Sequence, residues 1–366
     1  MKYILIISIL ILSSCGIDKE SAPPISSVGG GDLDLTFSDD GFFTHHNAAN
    51  GTDDDEAYDM TIDSQGRLII VGASTNGSGD KDLAVWVLTE DGVLDTTFSG
   101  DGIFTHHDAA GGNADDVGYG VVVNSADYIY ITGYSYNGAN DDMVVWKLSP
   151  TGSLDVSFGT GGVFVHDGAA GGNEHDHGND IAIDSNNLIY VTGYSDQTVT
   201  NRDMAVWKIN GDGTLNTSFS GDGIATRDGT AGGEDDIGNA IVVDSNFEVY
   251  VAGSSDSASN RDMAVWKFSS TGVPHAGLNT TGAFTHCNAA GGDVFDAATD
   301  LVIDDVGAIY VTGYSRNTSN NNDMVVWKLT SAGALDTSFD SDGIFVFDML
   351  DTVGIGESNS GEAIAM

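Results

Sequence analysis

Cysteine, proline and basic residues are scarce in this sequence, and each shortage excludes a class of protein. Only two cysteines occur in 366 residues, so a disulfide framework cannot hold the fold. Four prolines beside 40% hydrophobic residues exclude a proline-rich disordered chain. Only 12 lysines and arginines oppose 55 acidic residues, and the formal net charge of −43 repels nucleic-acid phosphates and anionic lipid headgroups. We therefore expect no nucleic-acid partner.

Long hydrophobic runs are missing as well, apart from one at the N-terminus. Lys2 precedes an apolar stretch over 4–12, which is too short to span a bilayer and is typical of a signal peptide. The segment 12–15, Leu-Ser-Ser-Cys, closes this stretch and resembles the lipobox of bacterial lipoproteins. The resemblance implies cleavage before Cys15, lipidation of its sulfur and attachment to a membrane.

An ordinary secretory signal with an incidental cysteine is the alternative interpretation. Gly16 stands where an aspartate would resemble an inner-membrane retention signal, so we expect an outer-membrane lipoprotein, periplasmic or surface-exposed. The predicted organisation is a signal peptide over 1–14, a lipidated cysteine and flexible tether over 15–32, and a repeat domain over 33–366.

The repeat domain is defined by one tryptophan motif, seen for example as RDMAVWKI and NDMVVWKL. The five tryptophans recur at intervals of 59 to 61 residues: Trp86, Trp146, Trp207, Trp266 and Trp327. Each unit also has a turn segment such as LDTTFSGDG, a run like GIFTHH and a run like GNDIAIDSNNLIYVTGYS. This periodicity predicts an array of one structural unit.

Alternation and turn residues predict four short strands in each unit. In 204–209 the apolar Ala205 and Trp207 occupy alternate positions, which is the period of a strand. The runs 181–183 and 188–191 are separated by Asp-Ser-Asn-Asn, which favours a hairpin turn. Such units can stack as a solenoid or close radially as a propeller, and their length suits a four-stranded propeller blade better than a β-helix coil.

Two segment types carry a family resemblance. GYGVVVNSADYIYITGYS from Gly118 and GNDIAIDSNNLIYVTGYS from Gly178 resemble bacterial β-propeller repeats of the SBBP type. LDTTFSGDGIFT from Leu94 and LDTSFDSDGIFVF from Leu335 resemble the delta-60 repeat of bacterial surface proteins. The resemblance implies a β-propeller, and together with the strand runs it predicts an all-β propeller of four-stranded blades, with five full repeats and a partial sixth. It implies little about activity, because these families are mostly of unassigned function.

The sixth unit starts at Leu335 and breaks off in the run 361–366, which aligns with the first strand of the hairpin in other units. The sequence thus holds 22 strand runs where six four-stranded blades need 24. We expect the run 42–45 to share the closing blade and the parent sequence to continue past Met366 by at least about 35 residues, the distance between matching points in other units. A closed five-bladed ring with a loose sixth fragment is the alternative.

Two residue types that recur in every unit are expected to hold the blades together. The glycines suit a bulge or close backbone packing: Gly72, Gly133, Gly193, Gly253 and Gly313. The tryptophans are expected to lie between neighbouring blades with a partner for each indole N–H.

Two aspartate columns have both a structural and a functional interpretation. One lies in the loop before the hairpin: Asp55, Asp116, Asp176, Asp236 and Asp296. The other precedes the tryptophan strand: Asp82, Asp142, Asp203, Asp262 and Asp323. Structurally, an aspartate at a tight turn fixes the loop by accepting backbone N–H bonds. Functionally, carboxylates of the first column beside glycine-rich loops predict calcium ligands.

Histidines form a further column, at His45, His106, His166 and His286, with Arg227 at the fourth position. They are expected to point outward on different blades and not to meet at one ion. The third unit is denser, with Glu174, His175, Asp176 and His177 in one loop. An HxH pair beside carboxylates predicts zinc or copper ligands, and a solvated loop is the alternative.

Motifs of catalysis are not found: the sequence has no nucleophile elbow, P-loop or HExxH element. We therefore expect a membrane-anchored module that binds an unidentified protein or glycan, without defined catalysis. A propeller hydrolase or lyase acting on a polymer and a purely structural envelope component are the alternatives.

Overall fold

The computed structural model describes residues 33–198, 201–232, 235–257, 260–347 and 359–365. The predicted signal peptide, Cys15 and the tether lie outside this part of the chain. No helix in the described part is both long and apolar enough to cross a membrane.

The described residues form twenty strands in five antiparallel units of four, each ordered along the chain from its inner to its outer strand. The first unit contains β1 (Asn50–Ile62), β2 (Leu68–Asn76), β3 (Lys81–Leu88) and β4 (Ile103–His106). The second contains β5 (Asp116–Val123), β6 (Ile129–Tyr136), β7 (Asp141–Leu148) and β8 (Val163–His166). The third contains β9 (Asp176–Ile183), β10 (Ile189–Thr198), β11 (Asn201–Ile209) and β12 (Ile224–Arg227). The fourth contains β13 (Asp236–Val243), β14 (Val249–Asp256), β15 (Arg261–Phe268) and β16 (Ala283–His286). The fifth contains β17 (Gly291–Ile303), β18 (Ile309–Asn317), β19 (Asn322–Leu329) and β20 (Ile344–Phe347). The predicted all-β propeller of four-stranded blades is confirmed.

The hydrophobic core is divided among the interfaces between blades. Four clusters of buried residues each combine side chains of two successive units. In β11, Ala205 and Trp207 on one face and Met204 and Val206 on the other are all fully buried. Both faces of a blade are therefore covered, whereas a sheet with one solvated face would bury only alternate positions.

The glycine column lies at a kink between the two innermost strands of each blade. A Cβ on Gly133 would lie 1.7 Å from the carbonyl oxygen of Val117, and the pairing register shifts between Gly118 and Gly120. The other glycines of the column have the same close carbonyl neighbour on the inner strand. The expected bulge with close backbone packing is confirmed.

The predicted count of 22 strand runs was too high by two for the described residues. Neither 42–45 nor 359–365 forms a strand. The segment 359–365 nevertheless lies beside the fifth blade, where the Gly361 N–H donates to the Gly313 carbonyl at 3.0 Å.

Candidate functional site

The inner strands of the five blades, together with 359–365, surround a central cavity of about 470 Å³. Each unit contributes an equivalent residue pair: Tyr58 and Asp59, Tyr119 and Gly120, Asn179 and Asp180, Asn239 and Ala240, Thr299 and Asp300, Glu362 and Ala363. An aspartate therefore recurs in every second unit, and a glycine or alanine takes its place in the units between.

These three aspartates connect successive inner strands. Asp59 Oδ2 accepts the N–H of Val121 at 2.8 Å, and Asp180 Oδ2 accepts that of Ile241 at 2.7 Å. Asp300 Oδ2 accepts the N–H of Ile364 at 2.8 Å, which attaches 359–365 to the ring. Each carboxylate thus supplies an acceptor for a backbone N–H at the gap between two blades, where no neighbouring strand supplies one.

Burial makes these carboxyl groups weak acids. It raises the pKa of Asp59 to about 6. Burial, and then the charges of Asp59 and Asp300, hold the pKa of Asp180 well above its usual range. Burial also raises the pKa of Asp300. Burial thus favours the neutral form of each of the three groups over its charged form.

Aromatic rings line one side of this cavity and continue between the second and third blades. Tyr58 meets Tyr119 edge to face with ring centres 4.9 Å apart, and Tyr119 is 5.8 Å from Tyr134. The His177 ring lies between Tyr134 and Tyr194, with ring centres 4.3 and 4.8 Å away. Tyr58, Tyr119, Tyr134 and Tyr194, here the tyrosine cluster, are all partly exposed. Sequence reasoning missed them, although a tyrosine at one column in the second, third and fifth units is visible as YSY, YSD and YSR.

The first aspartate column, predicted to bind calcium, fixes the loop that enters each inner strand. Asp116 accepts the N–H groups of Asp108 and Ala109 at 2.7 and 3.0 Å, and its partner Ser135 accepts the Ala110 N–H at 2.8 Å. The same arrangement of carboxylate, serine and loop N–H groups surrounds Asp55, Asp176, Asp236 and Asp296. Each blade carries one such group, so the five do not converge. The contacts support the structural interpretation, and calcium binding stays a prediction.

The second aspartate column lies at the turn between the two middle strands. Asp142 accepts the side-chain N–H of Asn137 at 2.6 Å, and Asp82 accepts that of Asn76 at 2.7 Å. Burial raises the pKa of Asp142 to about 6. At Asp82 and Asp142 the carboxylate thus closes the hairpin turn on which the tryptophan strand begins.

The histidine column supplies the partners that the tryptophans require. Trp146 Nε1 donates to His106 Nδ1 of the preceding blade at 3.3 Å. The equivalent bonds join Trp86 to His45, Trp207 to His166 and Trp327 to His286. In the unit with Arg227 at the histidine position, the hydroxyl of Thr230 accepts the Trp266 N–H at 2.9 Å.

The dense loop of the third unit is only partly a cluster. His175 Nδ1 and His177 Nε2 lie 2.9 and 3.1 Å from the same oxygen, Oδ2 of Asp141. Glu174 contributes its backbone carbonyl to Asn140 and does not join the group, and Asp176 is engaged by the loop N–H groups of Gly168 and Ala169. Asp141 was missed by sequence reasoning. The sequence signal that could have indicated Asp141 is its acidic side chain, because the equivalent positions of other units hold the basic residues Lys81, Arg202 and Arg261.

A family model described as "Domain of unknown function (DUF5122) beta-propeller" matches four stretches of the chain, residues 64–98, 129–158, 185–219 and 307–339. Each stretch covers the two middle strands of a unit and the turn segment that follows the tryptophan strand. No curated protein matches the chain significantly in sequence.

Several solved structures are similar to the chain at low identity. A polysaccharide lyase, Uly1, is 9% identical, with a TM-score of 0.41 over 81% of this chain and 69% of its own. The α-L-arabinanase of Cellvibrio cellulosa is 10% identical, with a TM-score of 0.36 over 76% of this chain and 93% of its own. A fucose lectin from Kordia zhangzhouensis is 17% identical, with a TM-score of 0.26 over 45% of this chain and 94% of its own. Likeness this remote carries no argument about function.

Proposed function

Since the chain is a β-propeller repeat protein, we propose that it is a membrane-anchored binding module of the cell envelope that takes up a glycan at its central cavity. The observation that carries the proposal is the tyrosine cluster at the side of that cavity. The cavity volume of about 470 Å³ falls within the range of small-ligand sites. A short oligosaccharide segment is an occupant of that size.

The tyrosine cluster suits a ligand with both apolar and hydroxylated faces. A tyrosine presents an apolar ring and a hydroxyl tip, and a pair of partly exposed rings gives a contact area at a low cost in side-chain entropy. Tyr58 and Tyr119 line the cavity directly, next to the polar Asn179 and Asn239. Rings and amides together match the two faces of a sugar.

The charge of the molecule narrows the class of glycan. A net charge of −43 repels acidic polysaccharides, and the cavity itself carries the carboxyl groups of Asp59, Asp180 and Asp300. A carboxyl group accepts hydrogen bonds from sugar hydroxyls whether or not it is ionised. We therefore propose an uncharged oligosaccharide as ligand.

A glycan array probed with the mature chain tests the proposal, followed by calorimetric titration of each uncharged glycan that binds. We expect Tyr58→Ala and Tyr119→Ala to weaken binding at least tenfold, equivalent to about 1.4 kcal/mol. Tyr128→Ala is the matched control. Tyr128 is also half-buried, but it precedes the first residue of β6, whereas Tyr134 of the tyrosine cluster lies near the last.

Binding that survives both cavity substitutions, or binding confined to acidic glycans, would contradict the proposed site. Release of shortened products from a bound glycan would identify an enzyme and replace the binding proposal.

The membrane anchor is proposed from the lipobox-like segment that ends at Cys15. Metabolic labelling with a fatty-acid probe should mark the wild-type protein and not Cys15→Ala. Equal labelling of the variant would exclude this residue as the lipid acceptor.

A further inference from the structure

The contact between the second and third blades departs from the first and third contacts between blades. At the first and third contacts, the backbone N–H of Lys81 or Arg202 donates to a carboxylate of the next blade, Asp115 at 2.8 Å or Asp235 at 3.2 Å. At the second contact the equivalent positions hold Asp141 and His175. An acid has replaced the basic residue, and an imidazole has replaced the acid.

Three potential metal-ligating atoms meet at this contact. Asp141 Oδ2 is 2.9 Å from His175 Nδ1 and 3.1 Å from His177 Nε2, and all three atoms lie within 4.8 Å of one another. A tetrahedral zinc ion with bonds of 2.0–2.1 Å holds its ligand atoms roughly 3.3 Å apart. The spacing of the three side chains therefore suits such an ion after small adjustments.

Nδ1 of His175 has two contacts with Asp141: the backbone N–H at 3.2 Å and the carboxylate Oδ2 at 2.9 Å. Their roles depend on the tautomer of the ring, because a protonated Nδ1 donates to the carboxylate and an unprotonated Nδ1 accepts the N–H. In the second tautomer Nδ1 and Oδ2 both present a lone pair to the space between them, which is the arrangement that a bound cation requires.

The surrounding side chains hold one ligand and leave another accessible. The His177 ring is stacked between Tyr134 and Tyr194, with interplanar angles of 18° and 26°, and its side chain is only 13% exposed. The His175 side chain is 45% exposed. An ion can enter from the His175 side, and a fourth coordination position there stays open to water or a ligand.

We propose that Asp141, His175 and His177 form a zinc-binding site at the contact between the second and third blades. Two imidazoles and one carboxylate are a ligand set that zinc accepts in proteins, whereas calcium prefers oxygen ligands alone. The site bridges two blades, so a bound ion also ties β7 to β9. The inference does not depend on the glycan proposed for the central cavity.

Isothermal titration with zinc chloride tests the site. The full chain is freed of metal by a chelator and titrated at neutral pH in excess calcium, which occupies weak carboxylate sites. We expect one ion per chain, with Asp141→Asn and His175→Ala binding at least tenfold more weakly. His107→Ala is the matched control, an exposed histidine after the outer strand of the first blade. Cobalt substitution supplies a second readout, since its visible absorption reports imidazole coordination.

Zinc binding that is equal in the wild type and in His175→Ala would overturn the proposal, as would no binding by a wild type that is folded. His175→Ala separates lost zinc binding from lost folding, because the partly exposed His175 side chain can be removed with little loss of packing. If the three residues only form an ion pair, both variants change stability, and zinc changes neither the melting temperature nor the cobalt spectrum.

Discussion

The bonds between tryptophan and histidine show how single residues join successive blades. Each indole N–H is buried and finds its acceptor on a preceding part of the chain, as in the pair Trp146 and His106. Burial lowers the pKa of His106, which keeps the ring neutral and its Nδ1 free to accept. The fourth unit shows that the acceptor matters more than the residue type, because Thr230 supplies it there.

We predict that His106→Phe destabilises the fold by about 1–3 kcal/mol, because the ring is retained while a buried N–H loses its acceptor. Urea unfolding followed by tryptophan fluorescence measures the change. His107→Phe, at the exposed neighbouring position, should change stability by less than about 0.5 kcal/mol. Equal effects of the two substitutions would show that the acceptor has no role.

The carboxyl group of Asp59 should make stability depend on pH. Its pKa is raised from 3.8 to about 6 by burial, so the native state binds more protons than the unfolded state between these values. The sign follows: stability falls as the pH rises through about 6, and the cost above that pH is on the order of 3 kcal/mol.

We therefore predict that Asp59→Asn shows a smaller fall in melting temperature between about pH 4 and pH 7 than the wild type does. The dependence should become shallower without disappearing, because Asp180 and Asp300 still titrate. Asp91→Asn, which changes an exposed carboxylate, should keep the wild-type slope. A slope unchanged in Asp59→Asn would assign the effect to other groups.

At the scale of the element, each blade depends on the kink at its glycine. Gly133 lies where β6 crosses the bulge of β5, with the Val117 carbonyl against its Cα. The contact is with backbone, so no side-chain movement can relieve it. The alternation of Asp59, Asp180 and Asp300 with Gly120, Ala240 and Ala363 belongs to the same scale, because each aspartate spans from one inner strand to the next.

Gly133→Ala should abolish cooperative folding or lower the melting temperature sharply, because the added methyl group would overlap the Val117 oxygen. Circular dichroism melts and soluble yield report the loss. Gly77→Ala is the control: its nearest atom, the Asn50 oxygen, is 4.0 Å away. A Gly133→Ala protein that melts like the control would mean that the strands can separate at the bulge.

At the scale of the whole molecule, the dominant feature is its negative charge. The acidic residues that give the net charge of −43, the ten recurring aspartates among them, repel one another. This repulsion opposes the compact state. Two lysines offset it locally: Lys147 pairs with Asp155 at 2.9 Å, and Lys328 pairs with Asp336 at 2.8 Å.

We predict that millimolar calcium raises the melting temperature more than sodium at matched ionic strength does. Binding to the native state alone adds RT ln(1 + [L]/Kd), about 2.7 kcal/mol at a hundredfold excess over Kd. Calorimetric melts in the two salts make the comparison. Equal shifts would reduce the effect to screening and leave the loop aspartates with their structural role alone.

The sequence by itself determined the strands, the blade and the roles of the recurring glycine and tryptophan. These features depend on local alternation, turn residues and a repeat near 60 residues. The same pattern occurs in five units, so each unit supports the prediction separately. It also indicated His175 and His177 together, as an HxH pair beside carboxylates in one loop.

Only the tertiary structure decided what meets across the blades. Asp141 joins two histidines 34 and 36 residues away, and Asp59 reaches an N–H 62 residues along the chain. No local pattern encodes these contacts, because they depend on how far each blade is rotated relative to the last. The two extra strand runs were predicted wrongly for the same reason: a run becomes a strand only where a neighbour pairs with its backbone, and the sequence of one run does not contain that neighbour.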